Sequence, residues 1–418
     1  MEKYRQFADA TKGVNPFVPV WSNRRLTLLQ RLMKLLVCGG FLVPVRAALF
    51  VVGFALLFLA SIILSLLSCV PAVHDIFATL LLPIPCRICL LASGFFWVNY
   101  GEETDARRLK LATPDKKNGS KTTLGATHGW LLFTNFQGPV DVLYYGMLGY
   151  NSFVFTNPKT LRFEATRTLI TSFFRAIEVG DVLVGAAGDD EKKQGARNSS
   201  GNASSTGSAV VEELPVDGLD GRRTVVFAEG GKTNGTCVLP FTGIASFLSR
   251  GSGLSGRKSK RLGAAQLDFY RVTCSTLVYD NSNAKASAAG SNTSSATAVL
   301  FTPAATTTTS LLGYLLSLQY QYAHTVERYH VSPELVGFNL TGEALTTSIS
   351  TQSQDQEQEE EDDATTSSTG SRSLIIAEKL RSWVATMPSP VLHEVNNSAS
   401  DLALFHKYWT DTQKKKYT

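Results

Sequence analysis

The sequence predicts an α/β domain preceded by a membrane hairpin, and three observations support this prediction. Short apolar runs of strand length alternate with helical patterns across residues 101–345, which is typical of a mixed sheet flanked by helices. Residues 47–70 contain no charged side chain, and roughly 20 apolar residues are enough to cross a bilayer. Hydrophobic residues make up 44% of the chain but are concentrated in its first quarter, so we expect the membrane part to precede the α/β part.

The N-terminal quarter predicts attachment to a membrane. Residues 1–46 form a basic, amphipathic segment that suits the surface of a membrane. Residues 47–70 predict a spanning helix. Residues 76–98 are apolar again, but Arg87 would be costly inside the bilayer, which favours a re-entrant segment or the return arm of a hairpin. Basic residues precede and follow this pair of segments, so the positive-inside rule places both flanks in the cytosol.

The α/β domain at 101–345 is expected to contain several strands, two helices and two inserts. The predicted strands lie at 130–134, 153–156, 181–184, 224–227 and 269–279, and the predicted helices lie at 158–177 and 310–330. Segments 186–221 and 281–309 are rich in small polar residues and lack an apolar pattern, so they are expected to be disordered inserts.

The C-terminal part predicts a loop, two helices and a basic tail. Residues 347–373 are acidic and polar without an apolar anchor, which predicts a disordered loop. Helices are expected at 374–387 and 399–416 within the final segment 374–418. Lys415 and Lys416 resemble a dilysine signal for retrieval to the endoplasmic reticulum, and a merely basic tail is an equally good interpretation.

The composition of the chain limits the kinds of molecule that it is expected to bind. The net charge of +5 fits an anionic membrane surface, and the scattered basic residues without an aromatic stripe predict no nucleic-acid binding. The six cysteines have no disulfide-framework spacing, which suits a reducing compartment. Cys86 and Cys89 form a lone C-x-x-C pair, and a zinc site would need a second pair, so we expect a structural or lipid-modified role and no metal.

The most informative stretch begins with the apolar run 225–227, which predicts a buried strand. The strand is followed by a carboxylate, two glycines, a cation and a hydroxyl: Glu229, Gly230, Gly231, Lys232 and Thr233. Glycines let the backbone approach a ligand closely, and a cation with a hydroxyl suits a phosphate. An ordinary junction of strand and loop with solvated polar residues is the alternative interpretation.

This stretch resembles the F-P-E-G-T-R-S block of the glycerolipid acyltransferase family. Phe227, Glu229 and Gly230 match the block, whereas Lys232 stands for its arginine. The continuation to Pro240 and Phe241 and the opening Met-Glu-Lys-Tyr are similar to fungal lysophosphatidic acid acyltransferases of that family. The resemblance implies a glycerolipid-acyltransferase-like fold with this block in its active site.

A second block of the family, His-x-x-x-x-Asp, is only half present. Asp141 takes the place of the aspartate, and Phe136 stands where the family has its general base. His128 lies eight positions earlier, at the far end of the predicted strand. Asp141 itself, through a water, or the phosphate of the acceptor are the other candidates for taking the proton. A role of Asp141 as a helix N-cap is compatible with any of these.

The resemblance implies a 1-acylglycerol-3-phosphate O-acyltransferase that acylates lysophosphatidic acid at sn-2 for glycerolipid and triacylglycerol synthesis. Acyl-CoA, such as oleoyl-CoA, would be the co-substrate, without a further cofactor. It implies Asp141 and Glu229 as catalytic residues. The implied substrate-binding residues are Asn135, Gly230, Gly231, Lys232 and Thr233. The expected location is the endoplasmic reticulum membrane and the lipid droplet, with the catalytic domain facing the cytosol.

Two alternatives remain open at the level of sequence. The replacement of the motif histidine by Phe136 favours a catalytically inactive relative that binds lipids in membrane organisation or trafficking. An acyltransferase for another lysophospholipid, such as lysophosphatidylcholine, is the other alternative, and Lys232 is weak evidence against it.

Overall fold

The computed structural model of the chain describes residues 2–18, 32, 35–67, 71–98, 102–111, 129–157, 163–166, 168–178, 223–241, 244, 270–280, 311–319, 324–341, 364–388 and 391–417. The helices are α1 (Val43–Leu66), α2 (Pro71–Leu81), α3 (Pro83–Ala92), α4 (Pro139–Met147), α5 (Leu169–Glu178), α6 (Leu311–Gln319), α7 (Pro333–Thr341), α8 (Ala364–Thr386) and α9 (Ala399–Tyr417). The strands are β1 (Phe95–Val98), β2 (Glu102–Glu103), β3 (Gly129–Thr134), β4 (Ser152–Thr156), β5 (Phe163–Thr166), β6 (Arg223–Phe227), β7 (Cys237–Val238), β8 (Tyr270–Asp280), β9 (His324–His330) and β10 (His393–Glu394). A 3₁₀ helix at Glu2–Phe7 and a π-helical stretch at Leu35–Leu42 precede α1.

Eight of the described strands form a mixed sheet in the order β1-β9-β8-β3-β6-β4-β5, with β2 also beside β9, whereas β7 and β10 pair in a separate two-stranded sheet. The four central strands β8, β3, β6 and β4 run parallel to one another. Strand β9 runs antiparallel to β8 and parallel to β1 and β2, and β5 runs antiparallel to β4. The carboxyl ends of the parallel strands, and the loops that follow them, therefore lie at one edge of the sheet, where α/β proteins bind ligands. The predicted mixed α/β class is confirmed, with a parallel-rich sheet flanked by helices.

The sheet is covered on both faces, and the strand residues alternate between the two cores. In β3, Leu132 joins a core with helices α1, α3, α4 and α5, whereas Leu131 and Phe133 join a core with α7 and α8. In β6, Phe227 and Val226 divide in the same way. The continuous apolar sequence of these strands follows from burial on both faces.

The apolar N-terminal helices pack tightly against each other and against α4 through two glycines. A Cβ added at Gly53 of α1 would lie 2.9 Å from Sγ of Cys89, and a Cβ added at Gly146 of α4 would lie 2.9 Å from Sγ of Cys86. The C-x-x-C pair of α3 thus supplies two small, buried side chains, each facing a glycine of a neighbouring helix. Small residues allow helices to approach closely, which gives the pair a packing role.

Two helical segments, Leu35–Leu66 and Val73–Ala92, are long and apolar enough to cross a membrane. Within an apolar 18-residue stretch of each segment, only 28% of the first stretch and 39% of the second are buried inside the protein, so most of their apolar surface has no protein cover among the described residues. This exposure is consistent with association with a membrane. Arg87 is compatible with it because its guanidinium donates to the carbonyls of Phe95 and Phe96, at 3.0 and 2.8 Å.

The boundary between hairpin and sheet domain differs from the sequence prediction. Residues 95–98 were assigned to the hairpin, but they form β1, which pairs with β9 at the edge of the sheet. Phe95 is fully buried, so the end of the apolar segment serves the core of the α/β domain. The domain thus begins before residue 101.

Three helix and loop predictions are corrected. The predicted helix 158–177 is a strand, β5, followed by α5, because β5 completes the sheet by pairing with β4. The predicted helix 310–330 ends at Gln319, and β9 follows because it pairs with β8 over seven residues. Within the predicted loop 347–373, the part from Ala364 belongs to α8, which extends the helix expected at 374–387.

The remaining predictions divide between confirmed elements and undescribed segments. The helix expected at 399–416 is confirmed as α9, and the strand expected at 269–279 is confirmed as β8. The predicted strand 181–184 and the inserts 186–221 and 281–309 lie outside the described residues.

Candidate functional site

The two sequence motifs meet at the carboxyl ends of β3 and β6. Thr134 and Phe227 are register partners at the ends of these adjacent strands. The amide of Phe136 donates to Oε2 of Glu229 at 3.2 Å, and the amide of Thr233 donates to the carbonyl of Phe136 at 3.1 Å. The structure therefore brings the loop 135–138 and the loop after β6 into direct contact.

Asp141 lies in the first turn of α4, which begins at Pro139 after Gly138. Its Oδ2 accepts hydrogen bonds from the amides of Gln137 and Gly138 at 2.6 and 3.0 Å, and its Oδ1 accepts one from the hydroxyl of Tyr279. Burial raises the pKa of Asp141 to about 6, although these three hydrogen bonds oppose the shift. The N-cap position belongs to Gly138, so Asp141 caps α4 from inside its first turn.

Glu229 is the second buried carboxyl of the site, with 2% of its surface exposed. Burial raises the pKa of Glu229 well above its usual value, against the effect of the Phe136 amide. The charge of Asp141 contributes in the same direction as burial. Within the described part of the chain, Oε1 of Glu229 has no hydrogen-bond partner. The neutral carboxyl is thus favoured.

Phe136 does not face Asp141 as a general base would. Its ring lies 4.7 Å from that of Phe227 and 5.7 Å from that of Phe155, and its side chain is 1% exposed. The place of the family histidine is therefore occupied by an aromatic ring in the hydrophobic core. His128, the substitute weighed from sequence, lies outside the described residues.

Asn135 ties its loop to β8. Its side-chain amide donates to the carbonyl of Leu277 at 3.0 Å, and its Oδ1 accepts from the amide of Leu277 at 2.9 Å. Gln137 donates to the same carbonyl at 2.8 Å, while its Oε1 has no hydrogen-bond partner within the described ranges. Asn135, predicted to bind substrate, thus holds the backbone in place, and Gln137 offers the free acceptor.

The loop after β6 is buried and tightly held. Gly230 has φ of 68°, a left-handed conformation that favours glycine, beside Thr156 of β4. Gly231 is buried as well. Lys232 is 3% exposed, and its ammonium donates to the carbonyl of Ile177 at the end of α5, where a helix favours a cation. Burial and the charge of Lys232 lower the pKa of His406 to about 4, so α9 lies near this lysine.

The N-terminal segment contributes to the site, which sequence reasoning missed. The amide of Asn234 donates to the carbonyl of Pro16 at 2.7 Å, and its side chain donates to the carbonyls of Asn15 and Val18, both at 2.9 Å. The short, mixed composition of residues 2–18 gave no signal for this contact. These residues hold the loop after β6 at Asn234, next to Thr233, which contacts Phe136.

Tyr279 is the other site residue that the sequence did not indicate. It lies near the carboxyl end of β8, whose Ser275 is the register partner of Thr134. A parallel pairing of these two strands was the one signal that could have placed Tyr279 near Asp141.

Comparison of the chain with family models, with curated proteins and with solved structures found no match.

Proposed function

We propose that this protein is a membrane-associated acyltransferase that moves the acyl group of an acyl-CoA, such as oleoyl-CoA, to the sn-2 hydroxyl of lysophosphatidic acid. The observation that carries the proposal is that two buried carboxyls, Asp141 in the first turn of α4 and Glu229 in the loop after β6, are brought together at the carboxyl ends of parallel strands. Perturbed carboxyls at such a position are a common property of catalytic sites.

The two carboxyls suit the two halves of acyl transfer. Asp141 has a pKa near 6, which makes it a competent proton acceptor near neutral pH. Burial favours the neutral form of Glu229, and a neutral carboxyl can donate a hydrogen bond to the oxyanion that develops on the thioester. Its buried Oε1 would make this contact once a substrate has entered the site.

The substrates are assigned by chemistry. Lysophosphatidic acid carries a phosphate monoester, for which Lys232 supplies positive charge, and the substrate would replace the contact between Lys232 and Ile177. Acyl chains are membrane-resident, and the exposed apolar helices provide the attachment that such a substrate requires. The proposed location is the endoplasmic reticulum membrane and the lipid droplet, with the sheet domain on the cytosolic side.

A second candidate function is lipid binding without catalysis, in membrane organisation or trafficking. The observation that favours it is the closed state of the site. Phe136 is packed into the core, both oxygens of Asp141 already accept hydrogen bonds, and Lys232 is covered. A fold retained for binding would have this appearance.

Acyl transfer from labelled oleoyl-CoA by the purified chain in mixed micelles separates these functions. Lysophosphatidic acid and lysophosphatidylcholine are compared side by side, together with Asp141→Asn and Glu229→Gln. We expect transfer to lysophosphatidic acid, and a loss of about 100-fold or more in each variant. The matched control is Glu164→Gln, which removes a buried carboxyl that pairs with Arg175 outside the site and should keep most of the activity.

Absence of transfer to either acceptor by a folded protein that binds lysophosphatidic acid would favour the second candidate. Transfer to lysophosphatidylcholine at the higher rate would replace the proposed acceptor. Protease protection of a C-terminal tag in sealed microsomes would contradict the cytosolic orientation.

A further inference from the structure

Asp141 lies in a buried cluster of hydroxyl groups that is polar in an otherwise apolar core. Three tyrosines and one carboxyl surround Asp141: Tyr279 of β8, Tyr145 of α4, Tyr314 of α6 and Glu229 after β6. The positive charge of Arg328 in β9 lies near Tyr145 and opposes the rise in the pKa of that tyrosine. Buried polar clusters are costly unless satisfied, and those that persist at the end of a sheet often serve function.

Only one of these hydroxyls is bonded to Asp141 among the residues that the structure describes. Tyr279 donates to its Oδ1. Tyr145 instead contacts Thr134 at 2.7 Å and donates to Ser275 at 3.3 Å. Tyr314 is buried beside the backbone of Val140 in the first turn of α4. The cluster therefore has a specific pair at its centre, and the other tyrosines surround it.

We infer that Tyr279 is a catalytic residue that receives the proton of the acceptor hydroxyl and passes its own proton to Asp141. This inference rests on the proposed acyl transfer and names the group that replaces the imidazole missing at Phe136. Oδ2 of Asp141 is held by two amides and Oδ1 by the tyrosine, so a proton can reach the carboxylate through the phenol.

The relay balances within one turnover. As the acceptor O–H bond breaks, its proton moves to Oη of Tyr279, and the phenolic proton moves to Oδ1 of Asp141. The acceptor oxygen forms a bond to the thioester carbonyl carbon, and the C–S bond then breaks with its electron pair leaving on sulfur. The CoA thiolate takes up a proton by the reverse path, which restores the pair.

The resting state of the pair is suited to this relay. Burial raises the pKa of Tyr279 well above its usual value, and the charge and hydrogen bond of Asp141 add to that effect. The pKa of Asp141 is about 6, so near neutral pH the shared proton resides on the phenol and the carboxylate is ready to accept. A tyrosine alone would be too weak a base.

The test compares Tyr279→Phe with the matched control Tyr314→Phe, which removes another buried hydroxyl beside Asp141 but not the one bonded to it. We expect kcat of Tyr279→Phe for lysophosphatidic acid to fall by about 100-fold or more with KM changed by less than about threefold, as for loss of a general base. Tyr314→Phe should stay within about threefold of the wild type, and the melting temperatures of both variants are measured.

The double variant Tyr279→Phe/Asp141→Asn distinguishes a relay from two structural defects. Substitutions of residues that act in one relay do not have additive effects on kcat. The kcat of the double variant should therefore be no more than about threefold below that of the worse single variant. Additive losses, or a Tyr279→Phe protein with more than about a third of the wild-type kcat, would overturn the assignment. If the wild type transfers no acyl group, the proposed function itself fails, and the relay is rejected with it.

Discussion

The two ends of α4 are both buried, yet they are held by opposite means. At its N-terminal end, Asp141 is surrounded by amides and hydroxyls, and its interactions are hydrogen bonds. At its C-terminal end, Gly146 lets Cys86 and Leu169 approach so closely that no side chain fits between them. The N-terminal end of α4 is thus held by hydrogen bonds, and its C-terminal end is held by close packing.

The difference between the two ends of α4 shows which end can take part in a reaction. A close-packed apolar contact lowers the free energy of the folded state and offers nothing to a substrate. The polar end carries a carboxyl whose neutral form is favoured by burial and whose charged form is stabilised by hydrogen bonds. That balance keeps a titrating group near neutral pH, at the edge where the loops after β3 and β6 meet.

The largest expected effect comes from placing polarity where the core is aromatic. Phe136→His should lower the free energy of unfolding by about 4 kcal/mol, because the imidazole would replace well-packed ring contacts and lack a partner beside Phe155 and Phe227. Denaturant unfolding in detergent micelles measures the effect, with Phe136→Leu as the apolar control, which should cost less. A loss below about 1 kcal/mol together with faster acyl transfer would mean that the imidazole has reached Asp141.

The environment of Phe136 also shows which features of the structure could be predicted from the sequence and which could not. The positions of strands β3 and β6, and the polar segments after them that contain Asp141 and Glu229, followed from apolar runs that end in polar residues, because β strands buried on both faces have a recognisable composition. The sequence did not predict that the ring of Phe136 packs against Phe227, because the direction of a side chain in a loop depends on contacts with distant strands. The resemblance gave its position in the motif and not its environment.

Other parts of the site escaped prediction for related reasons. Tyr279 reads as an ordinary aromatic residue of a strand, and its contact with Asp141 requires the pairing of β8 with β3 across a long stretch of chain. Asn15 and Val18 contact Asn234 although more than two hundred residues separate them. The predicted helix 310–330 was half wrong because pairing of β9 with β8 overrides local pattern.

The polar end of α4 should make stability depend on pH. The pKa of Asp141 is raised from about 3.8 to about 6 in the folded state, so the folded chain binds a proton more tightly than the unfolded chain. Its contribution is fully present below about pH 4 and is lost as the pH rises through 6, by about 3 kcal/mol at one pKa unit per 1.36 kcal/mol. Glu229 acts in the same direction.

Unfolding by urea at pH 4.5 and at pH 7 measures this slope. Asp141→Asn should flatten it, because the amide does not titrate. An unchanged slope in Asp141→Asn would mean that Asp141 is fully ionised throughout this range, and the hydrogen bonds would then outweigh burial at this end of the helix.

The apolar end gives the smallest effect and completes the comparison. Gly146→Ala should destabilise the protein by about 2 kcal/mol, because the added Cβ would lie 2.2 Å from Cδ1 of Leu169 and 2.9 Å from Sγ of Cys86. The loss should be independent of pH, unlike that of the polar end. Shortening the opposing side chain in Gly146→Ala/Leu169→Val should recover part of the stability, as measured by melting temperature in micelles. If Leu169→Val gives no recovery, the backbone of α4 yields instead of its neighbours, and the tight fit is not what fixes this end of the helix.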